Sequence, residues 1–196
     1  MQIVERIKKL WLKYFVGYDK PKNYWDSRWK ADLSAEKTTG KTAREELETI
    51  KRLMEKHSCQ DILEIGCGKA TLRDLPGYLG LDFSIEALKQ SGLETFVYAD
   101  VTKRIPLPDK SQDAVLSRYM LLHIPFSEIE NAVEEISRVA KNVVILKEPY
   151  GTSKEHAQPH CFLHNLPELF HRFFDGNVEF LETLDKVDAR ARHEEC

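Results

Sequence analysis

The sequence is short of several things, and each absence removes a class of protein. No run of 18 apolar residues occurs, so no stretch reads as a bilayer-spanning helix. The first residues lack the unbroken apolar core and small-residue cleavage site of a secretory signal. Only four cysteines are present, Cys59, Cys67, Cys161 and Cys196, with no C-x-x-C pair and no small-domain disulfide framework. A reducing, cytoplasmic setting is therefore expected. There is no internal repeat and no low-complexity tract. The net charge is only −3, with an excess of lysine and arginine before residue 60 and of acids after it. That balance argues against a general nucleic-acid surface, so DNA is not expected as a partner and RNA is disfavoured.

What remains is a chain of 196 residues, 42% hydrophobic and 31% charged, long enough to bury a substantial core. Its organising stretch is Asp61 to Thr71, DILEIGCGKAT. The aliphatic run to Ile65 reads as a short strand buried on both faces, and Gly66-Cys67-Gly68 breaks it sharply. Two glycines one residue apart allow a tight turn and are expected to offer bare N–H groups to a polar ligand. Tyr78 to Asp82 reads as a second strand ending in an acid suited to a ribose diol. NAD would use such an acid too, but Thr71 stands where the dinucleotide fingerprint has its third glycine or alanine, and Asp82 follows Gly66 too closely. Thr95 to Asp100 and Ala114 to Ser117 make a third and a fourth strand, and Asn142 to Glu148 a fifth.

Helical patterns alternate with these strands. Thr42 and Glu45 suggest a capping box for a helix over 43–57. Only Ala70 to Leu75 is available for a helix after the glycine loop. Ser84 to Ser91 is expected to be helical and to stop at Gly92, and Ser127 with Glu130 to cap another helix. Leu166 to Phe174 reads as a helix and Asn177 to Leu184 as a sixth strand. Such alternation predicts a parallel sheet with helices on both faces and ligands at the carboxyl ends of the strands, where the marked glycines and acids lie.

Upstream, Ile3, Val4, Ile7, Leu10, Trp11, Tyr14 and Phe15 recur at helical spacing with basic residues elsewhere around the turn. Residues 1–17 are thus expected to form an amphipathic helix that docks on the domain, dimerises, or lies on an anionic membrane. The division expected is an N-terminal segment, 1–40, and a ligand-binding domain, 41–196. His156, His160, Cys161 and His164 invite a metal reading, but Pro159 interrupts the helix that would align them, so no metal is expected.

The series ILEIGCGKA, YLGLDFS, YADV and IPLPDKSQDAVLSRYMLLHIP resembles successive motifs of class I S-adenosylmethionine-dependent methyltransferases, of the small-molecule, type 11/25-like group, over about residues 45–150. The resemblance implies a three-layer αβα Rossmann-like sandwich with a mostly parallel sheet. The chain past residue 184 leaves the family's antiparallel seventh strand short, displaced or absent. It implies S-adenosyl-L-methionine as cofactor. The backbone of Gly66, Cys67 and Gly68 would face its methionine part, and Glu64 would help hold its amino group. Asp82 would take the ribose hydroxyls, Phe83 would pack on adenine, Asp100 and the Val101 N–H would meet the adenine edge, and the Ser117 carbonyl would face the ammonium. The segment Asp19 to Lys30, with Tyr24, Trp25 and Trp29, is similar to the family's N-terminal aromatic lid, and reads either as such a lid or as rim packing.

Methyl transfer from a sulfonium requires alignment and exclusion of water, and a base only where the nucleophile must lose a proton. His123, Tyr119 and Glu148 are the candidates, His123 having the intrinsic pKa for that work. The acceptor expected is a hydroxyl or amine of a small molecule, a sugar or secondary metabolite. The alternatives are methylation of RNA or protein, and a non-catalytic S-adenosylmethionine-binding partner subunit.

Overall fold

The computed structural model describes residues 21–31, 41–151, 155–158 and 161–181. The amphipathic segment 1–17, His160 and everything past Leu181 lie outside the described residues, as does any seventh strand built from that tail.

The chain order is α1 (Pro21–Lys30), α2 (Lys41–Lys56), β1 (Ile62–Ile65), β2 (Tyr78–Asp82), α3 (Ile85–Ser91), β3 (Phe96–Tyr98), β4 (Gln112–Arg118), a 3-10 turn (Leu121–His123), α4 (Ile129–Val139), β5 (Ala140–Lys147), β6 (Glu155–Gln158), β7 (Cys161–Leu163), α5 (Leu166–Phe173) and β8 (Asn177–Phe180). Six strands form one sheet in the order β3-β2-β1-β4-β5-β8, and β6 with β7 makes a separate hairpin. Every pairing in the large sheet is parallel, and the hairpin is antiparallel.

The aliphatic strands bury both faces, as their sequences require. Leu63, Ile65, Val115, Val144 and Leu146 point to the side covered by α4 and α5, where Ile129, Val133, Ile136, Leu166 and Phe170 meet them. Their alternates Ile62, Ala114, Leu116, Val143 and Ile145 pack under Ile50 and Met54 of α2. This is the three-layer Rossmann-like sandwich expected. Each such aliphatic side chain contributes about 1.5–3 kcal/mol on burial, so the sheet is the rigid base on which the strand tips are fixed.

Several local expectations are corrected. Helix α2 already includes Lys41, so Thr42 sits inside its first turn and not at the N-cap. Ser127 does not cap α4; Glu128 precedes that helix without a side-chain cap. The crossover from β1 to β2 holds no α-helix. Three successive turns close it instead, Ala70 N–H to Cys67 O, Arg73 N–H to Ala70 O and Leu75 N–H to Leu72 O, at 2.7, 3.2 and 3.0 Å. Ala70 is left-handed, with φ 52°, which interrupts any α-helix begun there. Ser84 and Gly92 do bracket α3: the Ser84 hydroxyl accepts from Ala87 N–H, and Gly92 ends the helix at φ 68°. Strand β8 docks directly on β5, in parallel, so the place beside β5 is filled by the sixth strand of the sheet.

Candidate functional site

The chain runs outward from β1 through β2 to β3 and returns to β4 on the other side of β1, which opens a crevice at the carboxyl ends of β1 and β4. The glycine loop, Asp82, Asp100, Ser117 and Glu148 stand at or just past the carboxyl ends of β1, β2, β3, β4 and β5 in turn, along the same edge of the sheet.

The glycine loop bends as expected, with φ 69° at Gly66 and 51° at Gly68. Its N–H groups, however, are not bare. Gly66 and Cys67 both donate to Leu81 O, at 2.8 and 2.9 Å, and Gly68 donates to Asp82 Oδ2 at 3.1 Å. The loop therefore wraps the tip of β2 and aims its acid. Gly66 is required by a neighbour: a Cβ there would overlap the Met120 side chain at Cγ. The Cys67 side chain turns inward, where Gly80 leaves room for its sulfur.

Asp82 is 7% exposed. Ser84 N–H donates to Oδ1 at 2.8 Å, and the Gly68 bond holds Oδ2. Burial nevertheless pushes its pKa up to about 6, against the pull of those N–H groups and with Asp26 adding repulsion. A carboxylate has about four lone-pair positions, so these bonds leave acceptor capacity for a diol. Phe83 beside it is half-buried. Asp100 is tied more locally: its Oδ1 accepts from Thr102 N–H at 3.0 Å and Thr102 Oγ1 at 2.7 Å, while Oδ2 lies 3.3 Å from Lys103 Nζ at the surface. Val101 is buried in the turn that follows.

Glu64 is 1% exposed and committed. Arg118 Nε donates to its Oε1 at 2.8 Å and the Tyr78 hydroxyl donates to Oε2. Arg118 also reaches Glu46 at 3.3 Å and Thr71 Oγ1 at 3.0 Å, and Lys147 closes the network on Glu46 at 2.9 Å. Two acids and two bases thus balance within the α2 face of the sheet. Burial beside Glu64 also raises the Tyr78 phenol well above its usual range, keeping it a donor.

Helix α1 lies across the strand tips. Its Asp26 Oδ1 accepts from Ser84 Oγ at 2.5 Å, its Trp29 carbonyl accepts from Gln90 Nε2 at 3.0 Å, and Lys69 of the glycine loop sits 5.9 Å over the Trp29 ring. Trp25 meets the His123 ring edge-on at 4.6 Å, and Arg28, 6% exposed, lies over the Tyr24 and Trp25 rings. The aromatic segment thereby joins the tips of β1 and β2 to the turn after β4.

Past β4, Tyr119 takes a left-handed φ of 51° and its ring faces Lys147 Nζ at 5.7 Å. His123 Nδ1 lies 4.0 Å from Cys161 Sγ, which sits on β7. His164 is buried and bonds Ile124 O at 2.9 Å, so it serves the core. Among the described residues no group of three metal-ligating side chains forms, and no helix is long and apolar enough to cross a membrane. Sequence reasoning missed the reach of Arg118 across to Glu64 and Glu46; no local pattern signals it, since only the strand pairing Glu64 to Leu116 brings the two together.

A parallel sheet in the order β3-β2-β1-β4-β5-β8, with acids at its strand tips beneath a helix, defines the class of doubly wound α/β domains. Within that class, residues 63–146 match the model of the methyltransferase domain family. That match spans somewhat less than half of the chain, from β1 to β5, and makes this part similar to a methyltransferase domain, the family its motifs resemble. No curated protein matches the sequence. Among solved structures, DesVI of Streptomyces venezuelae is similar at 18% identity and TM-score 0.50, over 58% of this chain and 53% of that one. A putative methyltransferase, BH2331 of Bacillus halodurans C-125, is similar at 14% identity and TM-score 0.50, over 64% and 68%. The chain spans about half of the first and about two thirds of the second, and at these identities the likeness shows the fold alone.

Proposed function

We propose that the protein binds S-adenosylmethionine across the tips of β1 to β4, beneath α1, and transfers its methyl group to a hydroxyl or amine of a small molecule. The observation that carries this is Asp82, a buried acid aimed by the glycine loop and lidded by the helix that its neighbour Ser84 holds.

In this reading Asp82 accepts from the ribose hydroxyls and Phe83 covers one adenine face. Asp100 presents its outer oxygen to the adenine amino group, and the Val101 N–H donates to the ring. The Ser117 carbonyl faces the methionine ammonium. Glu64, already bonded on both oxygens, contributes through the network that fixes the post-β1 loop at Thr71. Gly66, Cys67 and Gly68 keep side chains out of the methionine path. The bound cofactor supplies a sulfonium methyl whose leaving group is a neutral thioether. The chain's own work is alignment and exclusion of water, which falls to α1 with Trp25 and Trp29. His123, beneath Trp25, takes the proton from a hydroxyl or ammonium acceptor, and Tyr119 borders the same side.

Calorimetric titration with S-adenosylmethionine and S-adenosylhomocysteine tests the reading, with Asp82→Ala and NAD as controls. Saturable binding of both sulfur nucleotides, weakened by about tenfold or more on substitution, is expected. Binding of NAD alone, or of neither sulfur nucleotide, would sink it.

A further inference from the structure

Glu148 follows β5 and is fully buried. Its Oε1 gathers three donors: Ser117 Oγ at 2.8 Å, Met120 N–H at 2.8 Å and Leu121 N–H at 3.1 Å. Among the described residues its Oε2 has no hydrogen-bond partner. The three donors come from the end of β4 and the first turn beyond it, the segment in which the chain leaves the sheet through the left-handed Tyr119. Strands β4 and β5 are adjacent and paired up to Arg118 and Lys147, so Glu148 reaches the loop from a rigid base.

The loop it grips touches both halves of the site. The Met120 side chain lies where a Cβ on Gly66 would stand, so it props the glycine loop. Three residues on, His123 meets Trp25 of α1 and Cys161 of β7. A fully buried carboxyl group with one oxygen spent on main-chain donors is poorly placed to take a proton from an acceptor substrate. It is well placed to hold a backbone.

We infer that Glu148 is a positioning residue: by accepting the Met120 and Leu121 N–H groups it sets the post-β4 loop, and through Met120 and His123 it sets the glycine loop and the acceptor side together. The inference rests on the methyltransferase reading for its functional consequence, but the anchoring itself does not. Burial pushes the pKa of this acid up to about 7 against those same donors, and either protonation state keeps an acceptor at Oε1. What the loop needs is that oxygen, with the charge secondary.

Two substitutions separate this from a general-base role. Glu148→Gln keeps an acceptor oxygen, whereas Glu148→Ala removes it and leaves two N–H groups without that partner. Amide hydrogen exchange is followed at Met120 and Leu121, and S-adenosylhomocysteine affinity by calorimetry. In the Ala variant exchange at those two amides is expected to accelerate about tenfold or more and the affinity to fall by about tenfold. The Gln variant is expected to stay within about threefold of wild type in both.

Wild-type exchange and affinity in the Ala variant would overturn the inference, as would a Gln variant as impaired as the Ala one. Should the Ala variant fail to fold, Met120→Ala decides: it removes the prop on Gly66 while keeping the anchor. Affinity weakened several-fold with the two amides still protected supports the inference, and unchanged affinity overturns it. A wild-type protein that does not bind S-adenosylhomocysteine at all would fail the functional reading, while the exchange experiment would still judge the anchor.

Discussion

At the scale of single residues, the network around Arg118 shows how pairing changes what a side chain does. In the sequence Glu64 falls within the first aliphatic run and Arg118 directly follows the fourth, and nothing in either stretch says that they meet. In the sheet they lie on neighbouring strands, and the guanidinium bridges Glu64 and Glu46 with side chains 1% and 7% exposed. Removing the arginine would strand Glu64 in the interior, since Tyr78 alone cannot offset its charge. Arg118→Met is therefore expected to cost about 3–5 kcal/mol, the range for breaking a buried pair from one side. Adding Glu64→Gln should recover at least half, because the orphaned charge is then gone. Urea unfolding of the three variants measures this; a loss below about 1 kcal/mol for Arg118→Met would show that the network is not a stabilising one. Asp82 is legible in the sequence where Glu64's engagement is not, because its place at a strand end beside a glycine loop is a local pattern.

At the scale of elements, the strands are readable in the sequence and their connections are not. An aliphatic run closing on an acid specifies a buried parallel strand whichever neighbours it finds. The turns after the glycine loop depend instead on Ala70 taking a left-handed conformation, which its identity does not announce. Helix α1 lies between these cases: its aromatics are evident, but how it sits on the domain is shown only by the contacts of Asp26, Trp25 and Trp29. The Asp26 to Ser84 bond is the direct latch between α1 and the tip of β2. Ser84 keeps its bond from Ala87 N–H without it, so α3 stays capped. On the proposed reading of α1 as a lid, Asp26→Ala is expected to speed cofactor dissociation about three- to tenfold, with the association rate nearly unchanged, because a looser lid releases its ligand more often. Stopped-flow tryptophan fluorescence with S-adenosylhomocysteine reads both rates. A slower association with unaltered dissociation would mean that α1 forms the entrance and does not retain the ligand.

At the scale of the whole molecule, the fold is legible because its core is written twice along each strand, once for each covering layer. The same alternation of strand and helix places every strand tip at one edge. In the proposed binding mode a ligand held there touches the ends of β1, β2, β3 and β4 at once, residues far apart in sequence that come together only in the native state. The unfolded chain offers it nothing comparable, so binding and stability are linked. At S-adenosylhomocysteine one hundred times its dissociation constant, the native state should gain about 2.7 kcal/mol. For a chain of this size that corresponds to a rise of about 5–10 °C in the melting midpoint. Differential scanning calorimetry checks it, with NAD at the same concentration as the comparison. The rise should vanish in Asp82→Ala, judged against that variant's own unliganded melting point, which losing the acceptor of the Gly68 and Ser84 N–H groups is expected to lower. Equal shifts with NAD would instead assign the crevice to a nucleotide in general, and the feature shared by both ligands, the ribose diol facing Asp82, would then be the whole of its specificity.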